Sequence, residues 1–340
     1  MKGQDLEIID GFRKGPAIVF IHGLGMDKRI WVSPEKARIL NGRFPINLLL
    51  CKEKAGLIER SREWINQGPI TPITPWGKLI VGTPYCELRT VFQDLKEEGY
   101  SLIAWSQSRP AAPIDVAVSE LKDVLRLSHE YNPSDLILIG HSRGGLIGRR
   151  YLQLYIDRRV KALITIATPH RGTRMATIVK YISPFASFIK SLVPESRGSE
   201  IIYLLKRMSE FLSSKAVMEL MPDSDFIRSL DDSGMNGVKY LSIGGSSSSL
   251  LCFDRIFEVN MDKIKRERIL SFPDAIERFF PRRFLPKEIV DGEGDGLVSV
   301  ESSKIPWKAE HYTFRYNHAE ILFSREVRKR IVNTIKEITG

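Results

Sequence analysis

The stretch Gly140-His141-Ser142-Arg143-Gly144 sets a serine between two glycines. It lies where an apolar run, Leu136–Ile139, gives way to a helical pattern. In such a strand-to-helix turn the glycines spare the backbone a Cβ clash, and the serine Oγ stands exposed at the carboxyl end of the strand. Ligands of open sheets with covering helices bind at that end. The chemistry available there is nucleophilic attack on an electrophilic carbon. A serine hydroxyl is a weak nucleophile, so the reading requires a base, an acid to orient the base, and N–H donors for the developing oxyanion.

Six histidines compete for the base. His22 and His141 sit inside glycine-containing turns, His129 on an amphipathic helix, His170 in a loop after a strand, and His311 on a late strand. His318, in "YNHAEIL", follows the late strand His311–Tyr316 and precedes the terminal helical pattern. A loop after the last strand can reach a central strand, so His318 is the expected base. For the acid, "DGEGDGLVSVES" offers Asp291, Glu293 and Asp295. Asp295 is favoured because its glycine turn runs into Leu297 and Val298. Asp291 is held in reserve, and a solvated acidic turn or a cation site remains the alternative. The oxyanion donors are expected from the N–H of Arg143, just past the serine, and of Leu24 in "FIHGLGMD", where His22 and Gly23 shape the loop. Gly140, His141 and Gly144 support the turn itself.

The elements that must position these residues are legible as short apolar runs: Ala17–Ile21, Leu102–Trp105, Leu136–Ile139, Ala162–Ala167, Val238–Ile243 and His311–Tyr316. Nearly continuous hydrophobicity marks buried parallel strands. Helical patterns between them, over Thr90–Glu98 and Ile114–Tyr131, imply a doubly wound α/β sheet. Two stretches break the alternation. The segment 26–85 is an insertion of unknown role containing the loop-like "GPITPITPWG". The segment 172–291 carries two apolar stripes at helical spacing, Met175–Leu192 (divided by Pro184) and Ile201–Leu212. It is expected to be a largely helical cap or lid with one core strand near 238–244. The core is then 1–171 with 292–340.

The 340 residues are 43% hydrophobic and 27% charged, a globular composition with a net charge of +10. The basic residues are dispersed. "KIKRER" and "REVRKR" read as exposed helix faces, and no nucleic-acid-binding motif accompanies them. No apolar run approaches the roughly 20 residues of a membrane span, and the acidic N-terminal stretch lacks a secretory pattern. Cys51, Cys86 and Cys252 are scattered, odd in number and without metal spacing. They read as thiols of a reducing cytoplasm, with pairing of two of them as the alternative.

Together, "HGLG", "GHSRGG", "ATPHRGT", "GDGLVSVES" and "NHAEI" resemble the bacterial lipase and esterase branch of the α/β-hydrolase fold, in the order that family uses. The resemblance covers about half the chain. It implies a mostly parallel central sheet with flanking helices and a helical cap or lid insertion. It implies hydrolysis of carboxylic esters through an acyl-serine, with Ser142, Asp295 and His318 as triad and Leu24 and Arg143 as oxyanion donors. It places Thr168-Pro169-His170 in the pocket wall. Glu320 falls where many such lipases hold a structural calcium, but no partner acid accompanies it, so neither metal nor cofactor is expected. The implied partner is a small-molecule or lipid ester, with peripheral lipid-surface contact as an extension. Acyl transfer, thioester hydrolysis and non-catalytic lipid binding are the alternatives on the same framework.

Overall fold

The computed structural model describes residues 5–51, 56–59, 73–74, 77–83, 88–127, 135–182, 199–258, 263–278 and 280–340. The expectations for Cys86, His129, Pro184 and the stripe positions Phe185, Ile189 and Leu192 fall outside them. In chain order the strands are β1 Leu6–Ile9, β2 Ala17–Ile21, β3 Arg38–Ile39, β4 Phe44–Pro45, β5 Gly56–Glu59, β6 Ile73–Thr74, β7 Gly77–Val81, β8 Leu102–Trp105, β9 Leu136–His141, β10 Val160–Ile166, β11 Lys239–Gly245, β12 Leu251–Glu258, β13 Lys263–Phe272 and β14 Glu310–Phe314. The longer helices are α1 Val91–Glu97, α2 Ile114–Leu127, α3 Arg143–Tyr155, α4 Ser199–Leu212 and α5 Arg325–Thr339. No helix among the described residues is long and apolar enough to cross a membrane.

The central sheet runs β1-β8-β2-β9-β10-β11-β14. Every neighbouring pair is parallel except β1 with β8. Strands β2, β8 and β9 are buried at every position, which is why they are apolar without alternation. Strand β1, an edge strand half-buried throughout, carries no such signal. Helix α2 turns Ile114, Ala117, Val118, Leu121, Val124 and Leu125 inward at the three-and-four spacing of an amphipathic helix. Helix α1 opens with a reciprocal cap between Thr90 and Gln93. Behind it, Phe20 packs on Trp31 and Phe92 with ring centres 5.2 and 5.1 Å apart.

A second sheet, β5-β13-β12-β7-β6, corrects two expectations. Among its described residues the segment 172–291 contains α4 but also an antiparallel hairpin of β12 and β13, which the expectation of a largely helical cap with one strand did not include. The run "KIKRER" lies on β13, not on a helix. Its side chains alternate: Lys265 and Glu267 are exposed while Arg266 between them is buried, the period of a strand. Arg266 can be buried because it pairs with Asp254 on β12 and donates to Gly82 O at 2.9 Å. The 26–85 insertion supplies the remaining strands of this sheet, β5, β6 and β7. "REVRKR" does lie on a helix, α5.

The cysteine expectation is corrected as well. Cys51 and Cys252 form a disulfide, with Cα atoms 5.4 Å apart and a sequence separation of 201. Closing so long a loop restricts the unfolded chain, and such bonds contribute about 2–5 kcal/mol. Cys252→Ser should lower the denaturation midpoint by that amount. Reductant should reproduce the loss in the wild type and add nothing in the variant; equal midpoints with and without reductant would mean the bond does not form.

Candidate active site

Helix α3 begins directly after β9, and Ser142 is the residue between them. Its backbone sits at φ 53°, ψ −127°, a conformation that costs a non-glycine residue on the order of 1–3 kcal/mol. The neighbours hold it there: Ser142 N–H donates to Ile166 O at 2.8 Å, and Ser142 O accepts from Gly145 N–H at 3.0 Å. The glycines are needed for close approach. A Cβ on Gly144 would lie 2.3 Å from Ile21 O, and one on Gly140 would lie 2.4 Å from Gly145 N.

His318 and Asp295 come together from the loops after β14 and before it. His318 Nδ1 is 2.9 Å from Asp295 Oδ2, and His318 N–H donates to Asp295 O at 2.9 Å. The other carboxylate oxygen, Oδ1, accepts the N–H groups of Leu297 and Val298 at 3.0 and 2.7 Å. A carboxylate so surrounded by donors accepts a third hydrogen bond from the Nδ1–H, which leaves Nε2 with the lone pair a base requires. Both residues are buried. The other acids of the turn are spent elsewhere: Asp291 pairs with Arg315 at 2.7 Å, and Glu293 is exposed.

Ser142 and His318 line one cavity with about 750 Å³ of empty space, its mouth included. Among the described residues no hydrogen bond joins Ser142 Oγ to the imidazole, and such contacts often close only on substrate binding. The loop expected to carry one oxyanion donor also reaches this cavity. Gly23 lies so close to the nucleophile that a Cβ on it would be 3.1 Å from Ser142 Cβ. The next residue, Leu24, lines the same cavity. The N–H groups of Leu24 and Arg143 have no acceptor among the described residues, which leaves both to a ligand.

His22 and His141 are not bases but braces. Gln107 N–H donates to His22 Nε2 at 3.0 Å, so the ring proton is on Nδ1 and points to Gly23 O at 2.9 Å. Burial pushes the His22 pKa down to about 4, so the ring stays neutral and holds the Gly23–Leu24 loop. His141 Nε2 donates to His318 O at 3.0 Å, and burial lowers its pKa well below the ordinary histidine value. The "TPH" segment does not line the cavity, contrary to expectation. Thr168 packs against Gly145, and His170 bonds Thr165 Oγ1 at 3.0 Å.

Two positioning residues, Gln107 and Asn317, escaped the sequence, and a third, Glu320, has a different role from the one considered. Gln107 links the His22 loop to the buried Arg143 guanidinium, which donates to Gln107 Oε1 and Pro110 O at 3.1 Å each. Burial brings the pKa of Arg143 down to about 10. Asn317 Nδ2 donates to Leu49 O and Ser249 O at 2.8 and 2.7 Å, and its Oδ1 accepts from Ala319 and Glu320 N–H. Glu320, the residue considered for calcium, accepts the Cys51 N–H. The loop bearing His318 is therefore fastened to residues 49–51. Adjacency to His318 was the only signal for Asn317, and nothing local marked Gln107.

The overall fold has a known counterpart. The mature form of a Bacillus licheniformis lipase matches 99% of this chain and 100% of its own at a TM-score of 0.54 and 16% identity. This protein has the α/β-hydrolase fold. The propeptide form of that lipase matches 99% of the chain and 54% of its own length, with a TM-score of 0.52 and 16% identity. Within the α/β-hydrolase fold, a family model described as a PGAP1-like alpha/beta domain matches residues 112–248, which include Ser142. A GPI inositol-deacylase of Schizosaccharomyces pombe is 28% identical over 116 residues, covering 30% of this chain; the match spans a tenth of that relative's length.

Proposed function

We propose that this protein is a serine hydrolase of carboxylic esters with acyl, lipid-like chains. One observation carries the reading: among the described residues the cavity is walled by apolar side chains, with Ser142, His318 and His141 as its polar ones. A greasy chain gains by leaving water for such a wall while its carbonyl meets the nucleophile. Helix α4 contributes Leu204, Met208, Phe211 and Leu212 to that wall, the part expected of a cap. The curated relative is named a deacylase, which agrees with acyl-ester cleavage.

In the proposed reaction His318 Nε2 takes the Ser142 proton as Oγ attacks the ester carbonyl carbon. The carbonyl oxygen becomes an oxyanion and accepts from the N–H groups of Leu24 and Arg143, while Asp295 stabilises the imidazolium. Collapse breaks the bond to the alcohol, which leaves with the proton from His318. Water, deprotonated by His318, then releases the acid from the acyl-serine.

A fluorophosphonate probe tests the nucleophile directly. It should label the protein once, at Ser142, and His318→Ala should slow labelling by on the order of 10³-fold or more. A protein that binds lipid without catalysis would not react. Profiling p-nitrophenyl esters from short to long chains should show a preference for the longer ones, and a preference for acetate would remove the lipid-like part of the reading.

A further inference from the structure

The cavity explains where an ester would react, not where it would come from. One surface of the molecule bears on that. Phe280 and Phe284 flank Pro281 and are 45% and 64% exposed. A single exposed ring is ordinary, but two in one turn beside cations are the composition of a membrane-surface contact. Arg283 stacks on Phe284, its guanidinium 4.8 Å from the ring centre. Phe280 meets Tyr181 edge-on at 5.6 Å, and Lys180 lies 4.9 Å from the Tyr181 ring. Neither Arg283 nor Lys180 has an acidic partner among the described residues, whereas Arg282 is paired with Glu277.

Three acids lie near this charge: Glu277 is engaged by Arg282 and by the Asp291 N–H, Asp291 pairs with Arg315, and exposed Glu293 acts on Arg282, which leaves Arg283 and Lys180 as the surplus cations of the surface. The protein as a whole carries +10. The surface also belongs to segments of the site: Met175, in the segment leading to Tyr181, lines the cavity, and Arg282 Nη2 donates to Asp291 O at 3.2 Å at the start of the Asp295 turn.

We propose that Lys180, Tyr181 and the turn Phe280–Phe284 dock the protein on an anionic lipid surface, the two phenylalanines entering the interface and Arg283 and Lys180 meeting the headgroups. This rests on the proposed lipid-ester reading for its purpose, but the binding is measurable without turnover. The test uses the Ser142→Ala protein and phosphatidylcholine vesicles with and without phosphatidylglycerol. The protein should sediment with the anionic vesicles, less so as salt rises. Phe280→Ser with Phe284→Ser should weaken partition about ten-fold, and Arg283→Gln about five-fold. With Ser142 restored, the same substitutions should leave turnover of a water-soluble short-chain ester unchanged.

Phe284→Trp adds a readout in the fully folded protein: the emission it adds to that of the five native tryptophans, read as the difference from the parent protein, should be quenched by brominated lipid. Unquenched emission, or vesicle binding indifferent to the phenylalanines, overturns the proposal. So does a wild-type dimer that these substitutions dissociate, since the surface would then face a second copy. Vesicle binding without any ester hydrolysis would instead overturn the function proposed above and leave the docking surface standing.

Discussion

Alanine at position 142 should lower kcat for a p-nitrophenyl acyl ester by on the order of 10⁶-fold while the protein stays folded. The hydroxyl is the atom that forms and breaks the acyl bond, and no neighbouring side chain in the cavity can substitute for it. His141, the nearest alternative nucleophile, donates from Nε2 to a backbone carbonyl. Folding should be nearly untouched, because Ser142 Oγ makes no hydrogen bond among the described residues that alanine would break. The backbone strain at φ 53° is the same for both residues. Residual rate should remain above the uncatalysed reaction, since the N–H groups of Leu24 and Arg143 survive the substitution. Steady-state kinetics with a thermal melt checks both halves. Activity above a tenth of wild type would remove Ser142 from its role.

Between pH 6.5 and 4 the protein should lose stability steeply. His22, His141 and His170 are all buried neutral, with pKa values pushed down chiefly by burial. In the unfolded chain the same rings titrate near 6.5. Below that pH the unfolded state takes up protons that the native state refuses, so acid favours unfolding. The stabilisation is thus present above about 6.5 and is lost as pH falls toward the folded values. His22, with its folded pKa near 4, contributes about 1.4 kcal/mol per pH unit over this range, about 2–3 kcal/mol by pH 4.5, and His141 and His170 act in the same direction. That is a sizeable part of the 5–15 kcal/mol stability of a typical domain. His311, lowered to about 4 chiefly by burial, adds to the loss, while Glu219, raised by burial, acts in the opposite direction. Urea denaturation at pH 7.5 and pH 5 reads the difference, and equal midpoints would contradict it.

What the sequence revealed and what it hid follow from range. Strands buried on both faces announce themselves locally, so β2 and β8 lie where their apolar runs put them. The turn at Ser142 was legible because its glycines are required by contacts within a few residues of the chain and with the strand beside it. The glycine turn running into Leu297 and Val298 favoured Asp295 over Asp291 in the sequence; the pair of N–H donors and the imidazole that converge on Asp295 are what the pattern could not show. Strand β13 was hidden because Arg266 takes a buried position between exposed Lys265 and Glu267, so charge rather than apolar side chains fills both faces of that stretch. The outer partners of the β12–β13 hairpin, β7 and β5, come from a segment far back in the chain. Periodicity states the conformation of a segment but not its partner. The same limit concealed the disulfide and the bonds from Asn317 and Glu320 to residues 49–51.

Those bonds change how the molecule could be trimmed. A pared-down version keeping the central sheet and its helices, with residues 26–85 excised as ornament, would retain the nucleophile in its bend. It would also free the C-terminal imidazole from Leu49 and Cys51, the anchors that its own loop grips. The apparent appendage is part of the jig that aligns the proton acceptor, and a graft of this chemistry onto another scaffold would have to carry it along.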